Sequence, residues 1–334
     1  MTATAWQREL AESTTSPEAL LAALGLDSKL LAGARAANET FDLRVTPGFL
    51  SRMRRGDVND PLLRQVLPLA DELIETPGYG PDPLQEHAAV RAPGLLQKYA
   101  GRALLITTQA CAIHCRYCFR REFPYSAQQD AAEEGAPRFH AALARVAADS
   151  SIEEVILSGG DPLSLSDARL ARITAALAAM PHVRRIRVHT RQPVVLPSRV
   201  DDGLLAWLRG IKLPTVFVLH VNHANEIDGD VRAACGRLRA VGVTLLNQSV
   251  LLKGVNDDAD TLAQLSRALM DAGVVPYYLH LPDRVRGTAH FDVAEADAQR
   301  LIGELSARLS GYLVPRLVRE IPGAAFKVPS VAGA

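Results

Sequence analysis

The sequence predicts an α/β protein centred on an incomplete parallel (β/α)6 barrel, with a helical N-terminal region and a short C-terminal extension. Three observations predict it. From residue 102 onward, short apolar, β-branched runs alternate with amphipathic helical stretches, the pattern of a parallel sheet covered by helices. Six such units fit between residue 102 and about 310, and the eight of a closed barrel would be crowded. Polar residues gather where the runs end, which is where ligands bind in barrels and open α/β sheets. A doubly wound open sheet shares this periodicity, so alternation alone leaves both architectures open.

Residues 1–95 read as helices followed by an extended connector. Ser16-Pro17-Glu18 opens a helix that Gly25 can close, with cap, first-turn proline and terminal glycine in favoured places. Thr46-Pro47 and Asp60-Pro61 open two more in the same way. The Pro/Gly-rich passage 76–95 reads as a connector without the low complexity of a flexible linker. The barrel occupies 96–310. Its strands are expected at 103–107, 153–159, 184–190, 215–220, 243–252 and 274–280, with helices such as 167–180 and 258–273 between them. Residues 311–334 form the C-terminal segment.

Composition narrows the class. The chain is 48% hydrophobic and 22% charged, as soluble globular proteins are. Its 37 basic residues equal its 37 acidic ones, which argues against capture of nucleic acid or a membrane surface. No apolar run approaches the ~20 residues of a membrane span, and the N-terminus lacks a secretory pattern. A cytoplasmic protein is expected, and a homo-oligomer is compatible with such a chain.

Cys111, Cys115 and Cys118, in the stretch TTQACAIHCRYCFRR after the first strand, are three of the four cysteines. Structural zinc prefers four ligands, usually from paired cysteine motifs, and no second pair exists. Cys235 lies in a helical stretch where a lone cysteine is ordinarily buried. Three thiolates suit a [4Fe–4S] cluster with one iron left open for a small ligand. The sequence C-x-x-x-C-x-x-C on this loop resembles the radical S-adenosylmethionine superfamily. That resemblance implies a barrel of the radical SAM type, with S-adenosylmethionine on the open iron. Ser158, Gly159, Gly160 and Asp161 end the second strand, and the glycine pair would let backbone approach a ligand closely. They resemble the superfamily's segment that holds the methionyl amine.

The resemblance narrows over residues 80–329. PDPLQEHAAVRAPGLLQKYAGRALLITTQACAIHCRYCFRR, LSGGDPL, RQPVVLP, HVNHANEI, LNQSVLLKGVND and GTAHF resemble the lysine 2,3-aminomutase family. The ending YLVPRLVREIPGAAFKVP is similar to the branch that makes β-lysine, in the R form, for modification of elongation factor P. The resemblance implies an isomerase using the cluster, S-adenosylmethionine and pyridoxal phosphate. Its partners would be free L-lysine, an external electron donor and a ligase that takes the product.

Site residues follow from the same resemblance. Lys327 matches the lysine that forms the Schiff base, although Ala324, Ala325 and Phe326 replace family glycines. Lys98, Lys212 and Lys253 are its competitors. Arg102 matches the phosphate-binding arginine, with Lys98 and Tyr99 as neighbouring contacts. His220 and Gln248 match contacts to S-adenosylmethionine. Arg120 matches the partner of the substrate carboxylate, with Arg116 and Arg121 as substitutes or as a solvated basic patch. Asp283 matches a carboxylate for the substrate ammonium. Glu320 stands where the family has a second, an aspartate; its alternative is a surface ion pair with Arg316 or Arg319. No structural zinc is expected, because the cysteines that bind it elsewhere in the family have no counterparts. The rivals are an aminomutase for another amino acid such as glutamate, which Asp283 would repel, and a non-catalytic iron–sulfur or zinc-binding protein.

Overall fold

The computed structural model describes residues 3–125 and 139–331, so residues 332–334 of the C-terminal segment lie outside the described residues. Ten strands join in chain order in one sheet. They are β1 (Val90–Ala92), β2 (Leu95–Tyr99), β3 (Arg102–Thr108), β4 (Glu154–Gly159), β5 (Arg185–Thr190), β6 (Thr215–Leu219), β7 (Thr244–Val250), β8 (Val275–His280), β9 (Arg316–Arg319) and β10 (Val328–Pro329). Neighbours from β3 to β9 are parallel, whereas β1, β2 and β10 add antiparallel edges.

The six expected strands are β3 to β8. Helices 167–178 and 259–271 lie where amphipathic spacing puts them. The second starts at Asp258, whose side chain accepts from Thr261 N at 2.8 Å, and ends before Gly273 at φ 73°. Two features differ from expectation. β9 is a seventh parallel strand, only four residues long and too short to show alternation. The connector holds the β1–β2 hairpin, turned at Pro93-Gly94 with Gly94 at φ 75°, the conformation a Pro-Gly turn favours.

The sheet curls. Lys98 on β2 places its Nζ 2.7 Å from Oε1 of Glu320, just after β9. In a flat sheet, seven strand spacings would separate them by roughly 34 Å, beyond any pair of side chains. The open-barrel reading therefore stands over the flat doubly wound one. On β5 the outward side chains Ile186 and Val188 are fully buried against helices, while inward Arg187 and His189 are half-buried. β7 repeats this, with Leu245 buried outside and Gln248 half-buried inside. Arg187, His189 and Gln248 thus give the concave face polar, partly accessible positions among apolar neighbours such as Ile156 and Val218, as a ligand chamber requires.

The N-terminal region packs onto the barrel as part of the main core. Helix 17–24 has the expected cap, with Ser16 Oγ accepting from Ala19 N at 3.1 Å and Gly25 at φ 65°. Helix 47–50 is likewise capped by Thr46. Asp60 instead starts a single turn, accepting from Leu62 N and Leu63 N at 2.9 and 3.0 Å. Pro68 disfavours helix at Leu67 and stops it there. No helix among the described residues is long and apolar enough to cross a membrane.

Candidate active site

The loop leaving β3 carries Cys111, Cys115 and Cys118 as half-buried free thiols. Burial pushes the Cys111 and Cys118 thiols up, Cys118 to about 11, and charge on the neighbouring cysteines adds to this. Close thiols that resist ionisation together suit a polynuclear cation, which would hold them as thiolates. Among the described residues no three His, Cys, Asp or Glu side chains converge on a point for one ion. Cys235 is buried in the core on helix 229–240.

The loop is anchored from below. Arg116 is fully buried, with Nε and Nη2 donating to Glu72 at 2.8 and 2.6 Å, and Arg121 Nη2 donates to the same carboxylate at 2.8 Å. Neither forms a solvated basic patch, and neither is free to replace Arg120. Their charge is used internally, because Glu72 in the N-terminal region neutralises it. His114, inside the motif, is tied through Nδ1 to Asp42 O at 2.8 Å and stacks on Phe41.

The glycine pair after β4 works on backbone first. A Cβ at Gly159 would lie 2.4 Å from Thr108 O, and one at Gly160 would lie 2.5 Å from Ala110 O. Gly159 also has φ 120°, so both positions exclude side chains. The close approach that the sequence suggested is thus made to the start of the cysteine loop. Asp161 holds the next turn. Its carboxylate accepts from Thr190 Oγ1 at 2.7 Å, Arg191 N at 2.7 Å, Gln192 N at 3.1 Å and Leu163 N at 3.0 Å.

Inside the barrel runs a chain of alternating charge. Arg120 donates from Nε and Nη2 to Glu86, both at 2.8 Å, and from Nη1 to Ser158 Oγ at 3.3 Å. Lys98 Nζ bridges Glu86 at 3.0 Å and Glu320 at 2.7 Å. Lys327 Nζ lies 3.1 Å from the other oxygen of Glu320 and 5.8 Å from the centre of the Tyr278 ring. Burial would raise the Glu320 carboxyl, but Lys327 and Lys98 together hold it well below the usual range. Glu320 therefore faces inward with two lysines and does not pair with Arg316 or Arg319. Asp283 is pushed up to about 7, first by burial and then by the charge of Glu320. A second cation entering beside it would draw it back to the ionised form.

Of the competing lysines, Lys212 and Lys253 are exposed, whereas Lys98 and Lys327 share the chamber. Of the family's glycine run this chain keeps Gly323, which has φ 77°. Ala324, Ala325 and Phe326 stand where no positive φ is needed, so the substitutions introduce no backbone strain.

Beside this charge chain Arg102 lies over the Tyr99 ring at 4.6 Å and forms no ion pair among the described residues. Tyr99 Oη is buried there without a hydrogen-bond partner. Arg187, which is paired with Glu154, is held below its usual value by burial and by nearby Arg102. An uncompensated guanidinium beside an unused hydroxyl fits an anionic phosphate. At the strand ends, Gln248 Nε2 and His220 Nε2 are 2.6 Å apart. Burial lowers His220 to about 3, so its ring is neutral.

Sequence reasoning passed over Glu86, and it placed His189 and Arg191 at the end of the third expected strand without giving either a role. Glu86 lies in a quoted stretch but looks like an ordinary surface acid, and only folding brings it between Arg120 and Lys98. His189, on the inner face of β5, has Nε2 buried without a hydrogen-bond partner among the described residues. Arg191 contacts Cys115 Sγ at 2.7 Å. Their place among the polar residues at a strand end was the signal that marked His189 and Arg191.

Comparison with known proteins agrees with this geometry. The model of the Radical SAM superfamily matches residues 105–265, from β3 through the helix that follows β7. The L-lysine 2,3-aminomutase of Escherichia coli (strain K12) is 49% identical over 326 residues, spanning 97% of this chain and 94% of that one. That of Haemophilus influenzae is 45% identical over 95% of this chain and 93% of its own, and that of Clostridium subterminale 34% over 97% and 77%. The chain belongs to the lysine 2,3-aminomutase family of the radical SAM superfamily.

Proposed function

We propose that the protein converts L-lysine to β-lysine, with Cys111, Cys115 and Cys118 ligating a [4Fe–4S] cluster and Lys327 attaching pyridoxal phosphate. The observation that carries the reading is Glu320 held between Lys98 and Lys327 inside the barrel, with Asp283 buried near enough to feel the charge of all three. When bound, the cluster and S-adenosylmethionine supply radical chemistry, and pyridoxal phosphate carries the amine that migrates.

The chain's own residues bind and orient. Ser158, Gly159 and Gly160 line the approach to the cysteine loop, with Asp161 bracing the turn behind them. His220 and Gln248 flank the S-adenosylmethionine region. Arg102 and the Tyr99 hydroxyl would hold the phosphate of pyridoxal phosphate, with Lys98, already paired with Glu86 and Glu320, as a neighbouring contact. Glu86 occupies one edge of the Arg120 guanidinium through Nε and Nη2, so Nη1, in contact with Ser158 Oγ, would be the group that takes the substrate carboxylate. Lys327 would hold pyridoxal phosphate, and the Glu320 oxygen that it now contacts would then be available to the substrate ε-ammonium. Asp283, poised near 7, ionises as that ammonium arrives.

Similarity to the branch quoted from the C-terminus supports delivery of the product, in the R form, to a ligase acting on elongation factor P, in the cytoplasm. The glutamate reading is weaker, because a second carboxylate would meet Asp283 and Glu320. The test is anaerobic turnover of the reconstituted protein with S-adenosylmethionine and L-lysine, glutamate or norleucine. β-Lysine from lysine alone is expected. Equal turnover of norleucine would reject ammonium recognition, and iron and sulfide without turnover of any of them would favour a non-catalytic protein.

A further inference from the structure

Arg191 follows β5 and reaches the underside of the cysteine loop. Its Nη1 donates to Cys115 Sγ at 2.7 Å, and its Nη2 donates to Glu226 Oε2 at 2.9 Å and Gln65 Oε1 at 2.6 Å. The guanidinium lies over the rings of Phe49 at 5.3 Å and Tyr117 at 5.8 Å. Arg191 is only 6% exposed and Glu226 is fully buried. Glu226 is itself fixed, its other oxygen accepting from Asn222 N at 2.9 Å, His223 N at 3.1 Å and Gln65 Nε2 at 3.1 Å. Asn222 Nδ2 completes the web by donating to Tyr117 Oη at 2.7 Å. The architecture is more than a support for the loop. It aims one rigid cation at one of three cysteine sulfurs and places its counter-charge on the far side.

We propose that Arg191 is a positioning residue that sets the reduction potential of the cluster through Cys115, and that Glu226 moderates its effect. The inference rests on the ligand set proposed above. One-electron reduction by an external low-potential donor adds one negative charge to the cluster and breaks no bond. An N–H donor and a positive charge at a ligating sulfur stabilise that added charge, and hydrogen bonds to sulfur are among the levers that set such potentials. Low local dielectric magnifies the effect, since Phe49 and Tyr117 keep water from the guanidinium. Removing the arginine makes the cluster harder to reduce. Neutralising Glu226 leaves Arg191 uncompensated and makes it easier.

The test uses the reconstituted protein without substrate. Iron, sulfide and the electron paramagnetic resonance signal are checked first, and the midpoint potential is then titrated with dithionite for the parent, Arg191→Lys, Arg191→Gln and Glu226→Gln. Arg191→Gln is expected to shift the midpoint to more negative values and Glu226→Gln to less negative ones, with Arg191→Lys between the parent and Arg191→Gln. A purely structural role would not move the two partners of one ion pair in opposite directions. Should Arg191→Gln take up no cluster, the sign of the Glu226→Gln shift decides. Midpoints that coincide, shifts of the same sign, or loss of the cluster from every variant would each overturn the proposal. A parent that binds no iron and sulfide would instead refute the ligand assignment of the three cysteines.

Discussion

Glu320→Gln tests the centre of the charge chain. The Glu320 side chain is 14% exposed and lies 2.7 and 3.1 Å from two ammonium groups. At an effective dielectric constant of ~20, each such contact is worth about 5–6 kcal/mol before desolvation. Breaking a buried pair leaves the partner charge uncompensated at a net cost of about 3–5 kcal/mol. Asp283 offsets part of this. With the like charge of Glu320 gone, its carboxyl drops from about 7 and is ionised over a wider pH range. The expected result is therefore near the lower bound, about 3 kcal/mol, or roughly a hundredfold loss in kcat/KM for L-lysine. The acid limb of kcat/KM reports the free enzyme. In the parent it should fall as pH drops through about 7, when Asp283 takes up a proton and can no longer attract an ammonium. In Glu320→Gln that limb should move to lower pH. Steady-state kinetics on reconstituted enzyme from pH 5.5 to about 9 measure both. A kcat/KM within threefold of the parent would equal the ~0–1 kcal/mol of an exposed ion pair and refute the reasoning.

Other outcomes follow from the same geometry. Alanine at Cys111, Cys115 or Cys118 should abolish S-adenosylmethionine cleavage, whereas Cys235→Ala keeps iron content and activity; cluster loss in Cys235→Ala would redraw the ligand set. Borohydride reduction of protein loaded with pyridoxal phosphate should label Lys327, and peptide mapping that found the label on Lys98 would reverse their roles. Asp283→Asn should raise the melting temperature of the cofactor-free protein more at pH 8 than at pH 5. A carboxyl whose folded pKa is raised to about 7 disfavours the fold progressively as pH rises from its unfolded value through 7, and asparagine removes that cost. Equal effects at both pH values would contradict this. Glu72→Gln should destabilise by about 3–5 kcal/mol in thermal unfolding, because two arginines lose their buried partner. It should also lower iron content, and a melting point within 1 °C of the parent would be incompatible with that role.

The parts legible in the sequence are those governed by local pattern. Strands β3 to β8 announce themselves by continuous apolar runs, and the helices capped by Ser16 and Thr46 by their N-terminal residues. Resemblance points to Lys327, Asp283 and Glu320 together, and in the fold Lys327 lies 3.1 Å from Glu320 while Asp283 feels the charge of both. What escaped notice depends on long-range pairing. β9 is only four residues long and becomes a strand by lying beside β8. Glu86 gains meaning when curling of the sheet carries β9 round to β2. The same limit explains Arg116 and Arg121, whose neighbourhood in sequence is basic and whose neighbourhood in space is Glu72.

That last misreading bears on what the N-terminal region does. Helical spacing marks it as a separate layer, yet its polar contacts converge on the cysteine loop. Glu72 binds Arg116 and Arg121, the Asp42 carbonyl holds His114, and Gln65 accepts from Arg191 and donates to Glu226. On the ligand set proposed above, a loop that presents three thiolates at fixed spacing has little secondary structure of its own to hold it. Buried ion pairs contribute little net stability compared with apolar packing, but they penalise every arrangement that leaves a charge unpaired. Rigid placement matters more here than stability, because a misplaced thiolate would cost the cluster an iron ligand. The N-terminal region thus acts as the back plate of the redox site, and the barrel supplies the chamber in front of it.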